Sequence, residues 1–385
     1  MSDHSFVDVS GVPSAGEPDY WKPVIFRGAE IDAEIERLAA IGQPLNGRRA
    51  AVFAHHRSPA SSPSLAPGIR VTLEVLLPGE RTTPVRHNST EVGFCIRGQG
   101  RMTIGETTRV VGRYDTWNHP SWRTTVAEAV GDEPFVRLVY SNAPLLEKMN
   151  VHLVEDVAEI DSGSSPTSGI AAETAGDSGS GAPDAASDER RNSPFGTFEL
   201  ADGAMLMPYE TLVNPPSLSS PSLYWPWEQV KANLDRLEQL GDSYVGRRLY
   251  LMYNPFTGRT NGTTPSFFAT ITIRPPSIVD RPHRHVSAAI NYFFRGTGWS
   301  RVGGQRYEWG PGDLMLTAPG WMIHHHASDD GDRVYELTVQ DQPLNIAMES
   351  LLWQEDLKHP PRVLGAQDGF ATNRTVSVLH GEVPA

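Results

Sequence analysis

The stretch PHRHVSAAINYFFRGTG, residues 282–298, is followed closely by WGPGDLMLTAPGWMIHHH at 309–326. Apolar and aromatic residues run there in short blocks, each closed by Gly or Pro, which predicts short strands joined by tight turns. FFATITIRP (267–275), GWSRVGG (298–304) and YEWGPGDLMLTAP (307–319) carry the same pattern. The whole chain has 35 Gly and 31 Pro in 385 residues, which favours turns over long helices. Many short strands with frequent turns indicate a sandwich or barrel, and strands with glycine at their turns suit a jelly roll.

Working outward, the first half of the chain repeats the second. FCIRGQG (94–100) matches YFFRGTG (292–298), HPSW (119–122) matches APGW (318–321), and PLLEKM (144–149) matches PLNIAM (343–348). Tyr20-Trp21, EIDAEIERLAAIG and Gly47-Arg48-Arg49 likewise match Tyr224-Trp225, EQVKANLDRLEQLG and Gly246-Arg247-Arg248. Two long units make a duplicated domain and not a solenoid. Helical spacing precedes each GRR triplet, at Ile31, Ile35, Leu38 and Ile41, and again at Val230, Leu234, Leu237 and Leu240. Between the halves, DSGSSPTSGIAAETAGDSGSGAPDAASDERRN is rich in Ser, Gly, Ala and Asp and has almost no large apolar residue. It reads as a flexible linker over 161–193, separating domains at 1–160 and 194–385 that each bury their own core.

Composition excludes several classes. A formal net charge of −13 gives no basic excess to neutralise phosphates, so no nucleic-acid partner is expected. The one cysteine, Cys95, excludes an internal disulfide framework and any thiolate-rich metal site; in its apolar strand it reads as a small buried hydrophobe. No apolar run is long enough to cross a bilayer, and MSDHSFVDVSG lacks the features of a signal peptide, so no membrane partner and a cytoplasmic location are expected.

Five of the 13 histidines fall between 283 and 326. His283 and His285 stand at i and i+2, so on a strand they share a face. In His324-His325-His326 the outer two share a face and His325 opposes them. Two imidazoles from one strand and a third from a facing strand can hold one side of a metal, leaving positions open for small ligands. Imidazole suits Fe, Zn, Cu and Ni alike, so ligand type does not choose among them. His55-His56 reads as part of a solvated loop, the WPW at 225–227 as cover over a barrel end, and Asp313 as a turn residue.

These motifs resemble the two signatures of the cupin superfamily. The series WPWEQVKANLDRLEQL, GRRLYLMYNPFTG, TTPSFFATITI, PHRHVSAAINYFFRGTG and PGDLMLTAPGWMIHHH is similar to the catalytic domain of the gentisate, salicylate and 1-hydroxy-2-naphthoate dioxygenases. The resemblance implies a mainly β bicupin, two jelly-roll barrels with flanking helices. It implies Fe(II) on His283, His285 and His324, and cleavage of a small aromatic carboxylate by O2. It further implies that His326 contacts the ring hydroxyl or dioxygen, that Arg247 faces the substrate carboxylate and that Phe268 lines the pocket. Homo-oligomerisation is expected on the same ground. Many cupins place a glutamate shortly after the second histidine, where this chain has Ala289 and Ile290, so the resemblance points to a three-histidine site.

The chain departs from the family at Asn291, a substrate-facing position where the relatives carry an arginine, and in having the intact motif in its second half. In the first half the matching segment is PVRHNSTE (84–91). Val85 replaces the first histidine, His87 and Glu91 remain, and Arg123 and Thr124 occupy the region of the third. That half is therefore expected to be metal-free. Two other readings stay open: an iron oxygenase acting on a non-aromatic molecule, and a non-catalytic metal-binding bicupin.

Overall fold

The computed structural model describes residues 6–12, 16, 18–157, 198–199, 204–206, 220–239 and 248–363. Each half builds a six-stranded antiparallel sheet. In the second half the order is Val24–Phe26, Leu314–Pro319, Ala288–Arg295, Val334–Gln340, Phe268–Arg274, Arg248–Leu251. In the first it is Tyr224–Trp225, Thr116–His119, Glu91–Arg97, Phe135–Ser141, Arg70–Leu76, Arg49–Val52. Five strands of each sheet come from its own half, and the outermost strand comes from the other. Val24 pairs with Leu316, and Tyr224 with Trp117. A second antiparallel layer completes each barrel. In the first half it contains Val85–His87, Thr125–Val130, Gln99–Ile104 and Thr107–Val111; in the second, Gly298–Val302 lies between Gln305–Trp309 and His324–Ser328.

The alternation of side chains explains why the halves stay together. Along Ala288–Arg295, Ile290, Tyr292 and Phe294 point away from their own barrel and Phe293 points into it. The outward rows of both sheets meet in one core that includes Val71, Leu73, Phe94, Leu138, Ile271, Phe294 and Leu337. Phe94 and Phe294 lie 5.7 Å apart and Tyr114 and Phe294 4.4 Å apart, centroid to centroid. An apolar sheet face of that size must be covered, and here each covers the other. The described residues of 6–157 and 222–363 consequently belong to one compact unit. The barrel interiors keep smaller clusters of their own, around Cys95, Met102, Trp117 and Phe135 in one and Phe293, Trp309 and Met315 in the other. The linker expected at 161–193 lies outside the described residues. Beside it, Phe198–Glu199 pairs with Met205–Leu206.

The helices form where the spacing indicated. Gly28–Ala39 buries Ile31, Ile35 and Leu38 on one stripe, and Trp227–Glu238 buries Leu234. Their N-termini are finished across the repeat. Asp313 Oδ1 accepts the Gly28 N–H at 2.7 Å, and Asp115 Oδ1 accepts the Trp227 N–H at 2.7 Å. The same carboxylates close their own turns through the N–H groups of Gly310 and Gly112. Asp313 is thus a turn residue and also a helix cap for the other half.

Trp227 does not cover a barrel end, because it is wedged between the halves against Tyr114, Phe294 and Tyr335. His55 is buried against Trp21, with Nε2 3.0 Å from the Lys22 carbonyl, so only His56 behaves as the loop residue expected. The matched glycines Gly98 and Gly296 both adopt positive φ, 69° and 73°. A Cβ would lie 2.2 Å from the Pro134 carbonyl oxygen at one and 2.6 Å from that of Arg333 at the other.

Candidate metal centre

His283 and His324 exchange two backbone hydrogen bonds, at 3.1 and 2.9 Å, which fastens the edges of two sheets together. His285 follows two residues on, along the same face. The imidazoles converge, with ring centroids 4.5 Å apart for His283 and His324 and 4.7 Å for His285 and His324. All three are buried, and their ligating atoms lie within 4.8 Å of one another.

The backbone also decides which nitrogen faces the centre. Nδ1 of His283 lies 3.0 Å from the Arg281 carbonyl oxygen, Nδ1 of His285 2.9 Å from that of Ser287, and Nδ1 of His324 2.9 Å from that of Met322. A carbonyl only accepts, so each Nδ1 carries the proton, and in the neutral ring the Nε2 lone pair is left to bind a cation. Among the described residues no carboxylate joins them, and the positions after His285 where a glutamate was sought hold Ala289 and Ile290. Three buried neutral imidazoles fit a borderline divalent metal such as Fe(II) or Zn(II) and do not suit magnesium or calcium, which prefer oxygen.

Around this centre the expected residues have distinct fates. His326 is buried on the same face as His324, their rings 6.0 Å apart. Its Nδ1 is 2.8 Å from Ser300 Oγ, which accepts the Trp309 indole N–H at 2.9 Å. His325 points the other way, beside Trp299; burial, with Arg301 close by, lowers its pKa. Asn291 is buried inside the barrel with its amide committed, accepting from Thr317 Oγ1 at 2.6 Å and donating to Thr338 Oγ1 at 2.8 Å. Phe268 is half-buried, and strand alternation sets it opposite Phe267 and Ala269 of the shared core, hence toward the barrel interior. Arg247 lies outside the described residues.

Two groups escaped the sequence reading. Trp353, paired in register with His285, stacks on both His283 and His285 at 5.5 and 4.7 Å and holds their rings in place. Its position beyond the last matched segment gave no local cue. A buried triad also sits in this barrel, Arg274 with Glu336 at 3.1 Å and Asp280 at 3.0 Å. Burial works against the Arg274 charge, but the two carboxylates more than offset it and keep the guanidinium protonated. The Asp280 N–H donates to the His326 carbonyl at 2.8 Å, which ties the triad to the histidine strand.

Residues 268–377 match the AraC-like ligand binding domain family. Over 89% of this chain and 90% of the other, the fold superposes on a salicylate 1,2-dioxygenase from Pseudaminobacter salicylatoxidans, with a TM-score of 0.68 and 17% identity. The fold is that of a bicupin. In sequence it is similar to a 5-aminosalicylate 1,2-dioxygenase of a Comamonas species, 29% identical over 126 residues. That alignment covers 32% of this chain and 33% of the relative, so the bicupin matches about a third of that relative's length. A gentisate 1,2-dioxygenase of Aquipseudomonas alcaligenes is 23% identical over 287 residues, 72% of each chain. The salicylate enzyme has also been solved as an adduct with gentisate. The three enzymes to which it is similar are thus named as 1,2-dioxygenases of 5-aminosalicylate, gentisate and salicylate. Among the described residues no helix is long and apolar enough to cross a membrane.

Proposed function

We propose that the bicupin is a non-haem Fe(II) dioxygenase that opens the ring of a small aromatic hydroxy acid, of the gentisate or salicylate type, using O2. The observation that carries this reading is the set of three buried imidazoles, each fixed by a backbone carbonyl so that Nε2 faces a common point. Bound there, Fe(II) supplies electron density to O2 and a meeting place for the oxygen and the hydroxy acid. One ring C–C bond breaks and both oxygen atoms end in the product, so no external reductant is required.

The chain's own residues bind, orient and move protons. Three neutral histidines bring no negative charge to the centre, which leaves a dianionic substrate free to supply it. His326 is the proton carrier beside them. Its partner Ser300 accepts the Trp309 N–H and has its own proton to give to Nδ1, which leaves the ring proton on Nε2. Arg247 is assigned as the clamp for the substrate carboxylate, because a guanidinium offers a planar, permanent, two-pronged donor. Its counterpart in the repeat, Arg48, lines a cavity together with His87 and His119 in the first half, which supports that assignment. Phe268 supplies an apolar wall for a ring.

Asn291 favours a second reading of the substrate. It is uncharged, and Thr317 and Thr338 already engage its amide. It therefore shapes the pocket more than it neutralises a carboxylate, which suits an acid other than gentisate or a non-aromatic molecule. The assembly is proposed to be a homo-oligomer, which light scattering on the eluting protein tests directly.

His283→Ala tests the site. The variant is expected to lose one equivalent of iron per chain after anaerobic loading and desalting; full retention would refute the ligand assignment. Arg247→Ala is expected to raise KM for a carboxylate substrate at least tenfold with kcat less affected, and an unchanged KM would reject the clamp.

A further inference from the structure

The first half was expected to hold no metal because Val85 and the Arg123–Thr124 region replace two of the three histidines. The repeat shows what took their place. In the second half the bridge His283–His324 supplies two ligands, and its counterpart is the pair Val85 with Thr125. On the adjoining strands, in the other sheet of each barrel, the situation reverses. The second half has Ala289 opposite Ala318, and the first half has Glu91 opposite His119 at the same positions. His87 and His285 are common to both. Two ligating side chains are thus missing from one strand pair and two stand on another.

The spacing of His87, Glu91 and His119 suits a metal site. His87 Nε2 lies 3.3 Å from Glu91 Oε1, and His119 Nδ1 lies 3.1 Å from Glu91 Oε2. Ligand atoms about 2.1 Å from one ion sit roughly 3.0–3.4 Å from each other, so these separations match two edges of a coordination shell. Backbone carbonyls again assign the nitrogens. Nδ1 of His87 is 3.1 Å from the Ser89 carbonyl oxygen, and Nε2 of His119 is 2.8 Å from that of Arg123. In the neutral rings those contacts take the protons, so lone pairs from both histidines face the carboxylate. Three electron-rich groups aimed at one point repel unless a metal cation or a shared proton lies among them. Both histidines are buried, and the cluster opens on a cavity of about 200 Å³ also lined by Arg48, Trp117 and Arg137.

We infer that the first half binds a second divalent metal ion, held by His87 Nε2, the Glu91 carboxylate and His119 Nδ1. Two histidines and one carboxylate with open positions suit Fe(II), with Zn(II) and Mn(II) as competitors. The cavity leaves room for water or a small anion on the open side.

Counting iron per chain separates the two centres. Protein loaded anaerobically with Fe(II) and desalted is expected to carry two irons in the parent chain and one in His283→Ala. Glu91→Gln, which keeps the size of the side chain, is expected to carry one, and the combination none. His119→Asn is a second variant at the same site and is expected to match Glu91→Gln, with circular dichroism confirming that each variant folds. A parent chain that saturates at one iron, unaffected by Glu91→Gln, would overturn the inference and show a proton shared among the three groups. A parent chain whose single iron is lost with Glu91→Gln but kept in His283→Ala would support the inference and sink the second-half assignment instead. Anaerobic Co(II) titration of His283→Ala gives an independent reading: a visible-band end point at one equivalent, abolished by Glu91→Gln.

Discussion

Cys95 illustrates how a residue's chemistry follows from its surroundings. It is fully buried in the first barrel, and burial, with the Asp115 carboxylate nearby, pushes its thiol up to about 12. Thiolate is the reactive form, so the native protein should give no reaction with a thiol reagent at pH 8 and one equivalent after denaturation. Prompt labelling of the native chain would contradict that packing. The apolar strand around Cys95 made its burial legible in the sequence. The facing of His283, His285 and His324 was legible for a similar reason, since a period of two fixes which side chains share a face. His119 was not. It lies at the end of the strand Thr116–His119, and nothing in its local spacing says that this end meets Glu91 across the ladder.

Elements carry information that passes between the halves. The turn aspartates Asp313 and Asp115 each cap a helix of the opposite half. Removing a helix cap costs about 0.5–2 kcal/mol, so Asp313→Ala and Asp115→Ala should each lower the unfolding free energy by that order, seen as a lower denaturation midpoint with little change in slope. An unchanged midpoint would mean that water replaces the carboxylate freely. Position alone marked Asp313 as a turn residue, and the turn is there, whereas its counterpart Asp115 was not singled out. Their second role depends on a partner more than 100 residues away in sequence, which no local pattern encodes. The exchanged strands Val24–Phe26 and Tyr224–Trp225 were missed for the same reason, because three or two residues are too short to give a periodicity. The glycine turns at Gly98 and Gly296 needed no partner to be read.

At the scale of the molecule, the duplication was legible but the core shared by the two copies was not. The matched segments established two copies of one fold, while the apolar outward faces of both sheets required each copy to cover the other. The shared core, the exchanged strands and the crossed caps all predict that the halves unfold together. Calorimetry should show one transition for both, and a protease site inserted at 161–193 should yield fragments that elute as one species after cleavage. Fragments that separate as two folded monomers would contradict the shared core. Catalysis at the three-histidine centre is tested most directly by oxygen consumption. Protein loaded with Fe(II) without air would be offered gentisate, salicylate, 1-hydroxy-2-naphthoate and 3-hydroxyanthranilate in an oxygen electrode, with ring-cleavage absorbance followed in parallel. The three-histidine centre predicts uptake of one O2 per molecule of at least one acid consumed, abolished in His283→Ala. Full iron occupancy with no uptake on any of the four would contradict ring-cleaving dioxygenation.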